Sequence, residues 1–206
     1  MFTAFQQIIV TTQKTPTKIT APSVTTVYNT NKNLVVTLKD VNGNAIANAK
    51  VTVTLNGKSK DLTTDAKGQA KYAIPSNLVP KNYYKATVSY AGDNTHIKSV
   101  ATAKVIVKKA NVKLTTPKKT YKAKVKTKKY TVTLKNNKGK VMKKVKLTLK
   151  VKGKTFKATT NSKGKATFKI TNLKKKGKYT AKVTYKGDKY YNKKVNSVKI
   201  TVKNRE

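Results

Sequence analysis

Cysteine and tryptophan are absent from the 206 residues, acidic residues number only six, and arginine and histidine occur once each. Without cysteine there is no disulfide to hold a small fold, no thiolate nucleophile and no thiolate metal site, and the redox compartment is not readable. Six scattered carboxylates supply neither an acid/base pair nor the clustered oxygens that calcium needs. The lone histidine, His96, lies in Gly92-Asp93-Asn94-Thr95-His96, with no serine or carboxylate around it arranged as a nucleophile motif. No segment approaches the ~20 apolar residues of a membrane span. Residues 1–10 lack the basic start and long apolar stretch of a signal peptide. The expectation is a non-enzymatic chain with no catalytic residue, metal, cofactor or membrane insertion.

The chain does contain one pattern written twice. Leu34-Val35-Val36-Thr37-Leu38-Lys39 returns 96 positions later as Tyr130-Thr131-Val132-Thr133-Leu134-Lys135, and Gly43, Gly57, Thr64 and Gly68 return as Gly139, Gly153, Thr160 and Gly164. After one deletion the offset is 95, and Tyr90-Ala91-Gly92-Asp93 returns as Tyr185-Lys186-Gly187-Asp188. A period near 95 is that of a whole small domain, not of a solenoid repeat. The expected organisation is an N-terminal extension or parent-chain remnant at 1–15, one domain at 16–109, and a second at 110–206.

Each copy alternates apolar and polar residues with period two between Gly, Asn, Asp and Lys turns. Strands are expected at 17–20, 33–39, 49–55, 58–63, 69–74, 83–90 and 102–108, and again at 112–115, 129–135, 145–151, 154–159, 165–170, 178–185 and 198–203. About seven short strands per copy and no amphipathic helix give an all-β protein of two tandem Ig-like β-sandwich domains. Tyr84, Ala86, Val88 and Tyr90 share a parity, as do Tyr179, Ala181, Val183 and Tyr185, and these should face the cores. Tyr84 and Tyr179 stand where such sandwiches carry a tyrosine bonded to the preceding loop. Asp93 and Asp188, beside glycine in equivalent turns, read as caps of their own turns.

Thr64-Asp65-Ala66-Lys67-Gly68-Gln69-Ala70 and Thr160-Asn161-Ser162-Lys163-Gly164-Lys165-Ala166, followed by Tyr-x-x-x-Val-x-Tyr-x-Gly-Asp and a final Val/Ile-rich strand, resemble tandem bacterial-type Ig-like repeats. Those occur in cell-surface adhesin-like proteins, and the Lys-, Asn- and Thr-rich style is similar to versions from methanogenic archaea. The resemblance covers roughly 16–203 and implies an extracellular stalk or adhesion module within a longer chain.

Charge distinguishes the copies. Residues 1–109 hold 15 lysines and four aspartates, a net +11, whereas 110–206 carry a net +31. Forty-seven lysines against one arginine fit diffuse attraction to a polyanion better than bidentate readout of bases or phosphates. If Val145, Leu147, Leu149 and Val151 face the core, then Lys146, Lys150 and Lys152 point outward. Lys178, Lys182 and Lys186 do the same on the sixth strand, and Lys199 and Lys203 on the last. These eight lysines are the candidate polyanion-binding residues. Tyr190 and Tyr191 are candidates for stacking on a ligand, with packing as the alternative role. A Lys–Asn isopeptide cross-link would need a buried carboxyl group, and no apolar strand offers one. The expected partner is an anionic polysaccharide, a cell-wall polymer or the surface of another cell, held by a monomeric module, with nucleic acid bound only non-specifically. The alternatives are a non-specific nucleic-acid binder, for which groove-reading helices and arginine are missing, and a purely structural stalk.

Overall fold

The computed structural model describes residues 12–204; the first eleven residues of the expected extension and the last two of the chain lie outside the described residues. The chain divides into two compact units. The first runs to Val107, except for 27–29 and 77–80, which group with the second unit that begins at Lys108.

The first unit contains β1 (Thr17–Thr20), β2 (Val24–Val27), β3 (Lys32–Asp40), β4 (Lys50–Leu55), β5 (Lys58–Thr63), β6 (Gln69–Ile74), β7 (Lys81–Tyr90) and β8 (Ser99–Lys108). The second contains β9 (Lys113–Thr115), β10 (Lys119–Lys122), β11 (Lys128–Lys135), β12 (Lys146–Val151), β13 (Lys154–Thr159), β14 (Lys165–Ile170), β15 (Gly177–Tyr185) and β16 (Lys194–Lys203). Each unit is a sandwich of a three-stranded sheet, ordered β1-β3-β6 or β14-β11-β9, on a five-stranded sheet, ordered β2-β8-β7-β4-β5 or β10-β16-β15-β12-β13. The fold is all-β and Ig-like, with eight strands per unit where the sequence pattern suggests seven. The additional strands, β2 and β10, have only four residues each. β10 carries no apolar alternation: it joins the sheet edge through backbone pairing parallel to β16, and only Tyr121 is half-buried.

Period two sorts the side chains. In β12 Leu147, Leu149 and Val151 are buried and face the other sheet, while Lys146 and Lys150 are exposed; β4 buries Val51, Val53 and Leu55 in the same way. Each fully buried aliphatic side chain contributes roughly 1.5–3 kcal/mol relative to exposure. In the second unit Tyr130, Val132, Leu134, Phe168, Val183 and Ile200 complete the core. Tyr84 is half-buried and Tyr90 buried in the first unit, matching Tyr179 and Tyr185 in the second.

The repeated motif has a physical reading. Thr64 is buried, and its Oγ1 accepts from Ala49 N at 2.9 Å while donating to Ile46 O at 2.7 Å, which ties the β3–β4 connection to β5. Thr160 is equally buried and accepts from Val145 N at 2.9 Å. Four residues on, Gly68 and Gly164 have φ of +70° and +71° and lie against the carbonyls of Leu38 and Leu134, leaving no room for a Cβ. The following Ala70 and Ala166 are buried in the cores.

Candidate polyanion-binding face

The five-stranded sheet of the second unit brings the third, sixth and last of the expected strands together as β12, β15 and β16, and adds β10 and β13 at its edges. None of these five strands contains an acid. Lys146 and Lys150 lie on β12, Lys178 and Lys182 on β15, and Lys199 and Lys203 on β16, all exposed at positions alternating with buried residues. Lys152 and Lys186 stand one residue beyond β12 and β15. Lys152 is the first residue of the Lys152-Gly153 turn, at φ +44°, and its Nζ lies 6.0 Å from the centre of the Tyr179 ring. The Tyr179 hydroxyl in turn donates to Lys175 O at 2.8 Å, anchoring the loop before β15.

Register shows how so many cations share one face. Lys146 lies opposite Thr159, Lys150 opposite Thr155, Lys178 opposite Thr201 and Lys199 opposite Thr180. The Lys199 ammonium donates to Thr180 Oγ1 at 2.7 Å. Threonine therefore separates most lysines across the ladders. Two pairs are directly opposed, Lys150–Lys182 and Lys122–Lys203. Like charges opposite one another destabilise a sheet.

The face is indented. One hollow of about 400 Å³ is ringed by Lys146, Lys157 and Lys186 with Thr148, Thr159 and Thr184 on its floor and walls. A second, of about 360 Å³, lies among Lys150, Lys152, Lys182 and Thr180. At the sheet's end a hollow of about 510 Å³ joins Lys122, Lys203 and Lys176. Five of the eight sequence-derived lysines thus border the first two hollows and Lys203 the third, while Lys178 and Lys199 border none of the three. Lys157, Lys122 and Lys176 were missed by the sequence reading. Lys157 was legible, because Phe156 and Ala158 turn inward on either side of it.

The equivalent face of the first unit carries Lys50, Lys85, Lys104 and Lys108, but also an acid. Asp61, on β5, pairs with Lys50 at 3.0 Å and accepts from Thr52 Oγ1 at 2.7 Å. The Thr52 hydrogen bond and then Lys50 hold its carboxyl below the ordinary value.

Tyr191 is buried in the second core, and Tyr190 is half-buried with the Lys189 ammonium 4.9 Å from its ring centre. Both take their backbone geometry from Asp188, whose Oδ1 accepts from Tyr190 N and Tyr191 N at 2.7 Å each. Asp93 does the same for Thr95 N and His96 N, and also accepts from the Tyr90 hydroxyl at 2.8 Å. The His96 ring at 3.0 Å leads the contacts that hold the Asp93 carboxyl far below the usual carboxylate range. Burial first, then this carboxylate, pushes Tyr90 up to about 12. Asp93 and His96 are thus engaged in ordering one turn. Among the described residues no group of three or more metal-ligating side chains converges, and no helix is long and apolar enough to cross a membrane.

No family model matches the chain, and neither does any curated protein. The similarity to archaeal repeats therefore stands on residue style alone. Solved structures share the architecture. Invasin, a bacterial integrin-binding protein, aligns over 90% of this chain at 17% identity and a TM-score of 0.52, and the chain spans 39% of its length. Titin domains A168–A170 align over 90% of this chain and 65% of theirs at 11% identity and a TM-score of 0.53. Titin domains Z1Z2, solved in complex with telethonin, align over 96% of this chain and all of theirs at 13% identity and a TM-score of 0.50. At such identities the likeness shows the fold alone: the chain is built as a pair of tandem Ig-like domains.

Proposed function

We propose that this chain is a non-enzymatic stalk and adhesion module of a surface protein, in which the first unit spaces and the second holds anionic glycopolymers of a cell wall or a partner cell. The observation that supports this reading is the outer face of the β10-β16-β15-β12-β13 sheet. It carries lysines on all five strands, no acid, and two hollows each bordered by three lysines. Lysine ammoniums hold sulfate, phosphate or carboxylate groups as point charges with little demand on orientation, so binding is broad in ligand and steep in salt. The proposed setting is extracellular, in a monomeric module of a longer chain. The face is a β-sheet with no helix to enter a DNA groove, so duplex DNA is bound through phosphate charge only.

The test compares the full chain with a Lys150→Gln/Lys157→Gln/Lys182→Gln variant on an anionic polysaccharide, isolated cell-wall polymer and duplex DNA over roughly 50–500 mM salt. Retention of the parent on the two glycopolymers near physiological salt, lost in the variant, is the expected result. Equal retention of both proteins on all three, at low salt only, would leave a structural stalk. Preference for DNA at physiological salt would make the chain a nucleic-acid binder.

A further inference from the structure

One lysine of the second unit is not on the surface. Lys128, the first residue of β11, is 1% exposed. It has the same parity as Tyr130, Val132 and Leu134 and lies opposite the buried Ile170, so its side chain enters the end of the sandwich interior. Its ammonium donates to Val125 O at 2.7 Å, and no carboxylate pairs with it among the described residues. Burial pushes this ammonium down from its ordinary value. A buried cation with no counter-charge is costly, and proteins retain one where something compensates it.

The surroundings supply a cleft for that compensation. Lys128 lines a hollow of about 710 Å³ at the end of the unit, with Lys124, Lys126, Lys154, Lys174 and Asn172 around it. The volume falls within the roughly 300–1,000 Å³ of small-molecule sites. Asn172 is fixed by its amide nitrogen, which donates to Val151 O at 2.9 Å and Lys152 O at 3.3 Å. Its Oδ1 is buried and accepts no hydrogen bond among the described residues. Five lysines and Asn172 thus line one cleft: the lysines call for an anion, and the unpaired Asn172 Oδ1 calls for a donor.

We infer that this cleft is a binding site for an acidic sugar, with the sugar carboxylate among Lys128 and the rim lysines and a sugar hydroxyl donating to Asn172 Oδ1. An inorganic sulfate meets the first demand and brings no donor for the second. The cleft shares no residue with the eight lysines of the sheet face, so the two proposals fail separately. In the first copy of the repeat the corresponding stretch is Tyr28-Asn29-Thr30-Asn31-Lys32, Val79 replaces Lys174, and Lys32 is exposed, so that copy has no counterpart of the acidic-sugar site.

The experiment titrates the isotopically labelled full chain with digalacturonate, with the neutral disaccharide and with inorganic sulfate at physiological salt, and follows backbone amide signals. Digalacturonate is expected to shift 124–128 and 171–174 and to saturate, with sulfate and the neutral sugar much weaker. Lys128→Met should weaken binding by about tenfold, in line with the loss of a charged hydrogen bond. The exposed pair Lys126→Gln/Lys174→Gln, which leaves the core untouched, should weaken it several-fold, and Lys150→Gln/Lys182→Gln on the sheet face should leave it unchanged. Shifts scattered over the lysine-bearing strands without saturation would overturn the site. So would sulfate as effective as digalacturonate, or undiminished affinity in the Lys126→Gln/Lys174→Gln protein.

Discussion

The two units share a backbone plan and differ in what their turns and sheet faces are made of. In the first, Asp40 Oδ1 accepts from Asn42 N and Asn44 N at 2.9 and 2.8 Å, and Asp65 Oδ1 from Lys67 N and Gln69 N at 2.8 and 2.9 Å. In the second, Asn136 Oδ1 accepts from Lys138 N and Lys140 N at 2.9 Å each, and Asn161 Oδ1 from Lys163 N and Lys165 N at 2.9 and 3.1 Å. The turns need an acceptor oxygen, not a charge, so asparagine replaces aspartate with the geometry kept. On the sheet face the change is a reversal: Asp61 of β5 becomes Lys157 of β13 at the same register. A fold whose backbone needs are met by neutral oxygens is free to take almost any surface charge, and the second unit uses that freedom in one direction.

The largest effect expected from probing this comparison lies in the buried threonines. Thr64 bonds both a donor and an acceptor of the β3–β4 connection, whereas Thr160 accepts from a single amide at 2.9 Å. Thr64→Val leaves a buried N–H and a buried carbonyl unpaired and should cost the first unit about 2–4 kcal/mol. Thr160→Val should cost the second about 1–3 kcal/mol. Unfolding of each variant, followed by the Tyr72 ring in the first unit and the Phe168 ring in the second, measures the difference. Equal losses would mean that the two connections are held alike.

Next come the paired lysines at the start of the third strand. Lys32 and Lys128 occupy the same register, opposite Ile74 and Ile170, yet one is exposed and the other buried. Lys128→Met removes a desolvated charge from a site that can hold a side chain of that length, and should stabilise the second unit by about 1–3 kcal/mol. Lys32→Met at the surface should change the first unit by less than about 0.5 kcal/mol. Chemical denaturation read by the same two rings tests both, and a destabilised Lys128→Met protein would show that the ammonium's bond to Val125 O outweighs its desolvation.

A smaller effect belongs to the β-hairpin turns. Asn56-Gly57 and Lys152-Gly153 both place their first residue at positive φ, +50° and +44°. Asparagine adopts that region more readily than lysine. Lys152→Asn should stabilise the second unit by about 0.5–1 kcal/mol, and Asn56→Lys should cost the first a similar amount. A thermal melt of each variant reads the sign. The same exchange occurs at Lys144, at +56° where the first unit has Asn48 at +53°, so it is not peculiar to the hollow.

These comparisons also mark what the sequence could reveal. Strands such as β4 and β12 were legible because Val51, Val53 and Leu55, or Leu147, Leu149 and Val151, keep one parity between Gly-containing turns. β10 was not, because Lys119-Thr120-Tyr121-Lys122 has no apolar face and is held by pairing with a strand some eighty residues away. Lys128 falls one residue before the strand expected at 129–135, so its parity with Tyr130 was not read; β11 starts at Lys128 and places it inside. The outer lysines of β12, β15 and β16 followed from alternation, whereas the hollows among them depend on side-chain lengths across three strands, which no single strand's pattern contains.

The smallest expected effect is in acid, and its sign follows from the turns. Asp40, Asp65 and Asp93 have carboxyls held below their ordinary value of 3.8, by Asn44 first for Asp40, by Gln69 N first for Asp65 and by His96 first for Asp93. The folded state therefore favours the charged form, and the unfolded chain takes up protons first as pH falls. The contribution of these groups is fully present above the unfolded value near 4 and is lost as pH drops through the lower folded values. The second unit, with Asn136 and Asn161 in the first two of these positions, has no proton to gain there. The melting temperature of the first unit should thus fall between about pH 4 and pH 2 by more than that of the second. An Asp40→Asn/Asp65→Asn protein should narrow the gap without altering either turn, because the replacement is the one the second unit already carries. If the gap stays as wide in that protein, the acid sensitivity lies with the other two aspartates: Asp61, held low by Thr52 and Lys50 and replaced by Lys157 in the second unit, and Asp93, in the one turn whose aspartate both units keep and whose histidine only the first possesses.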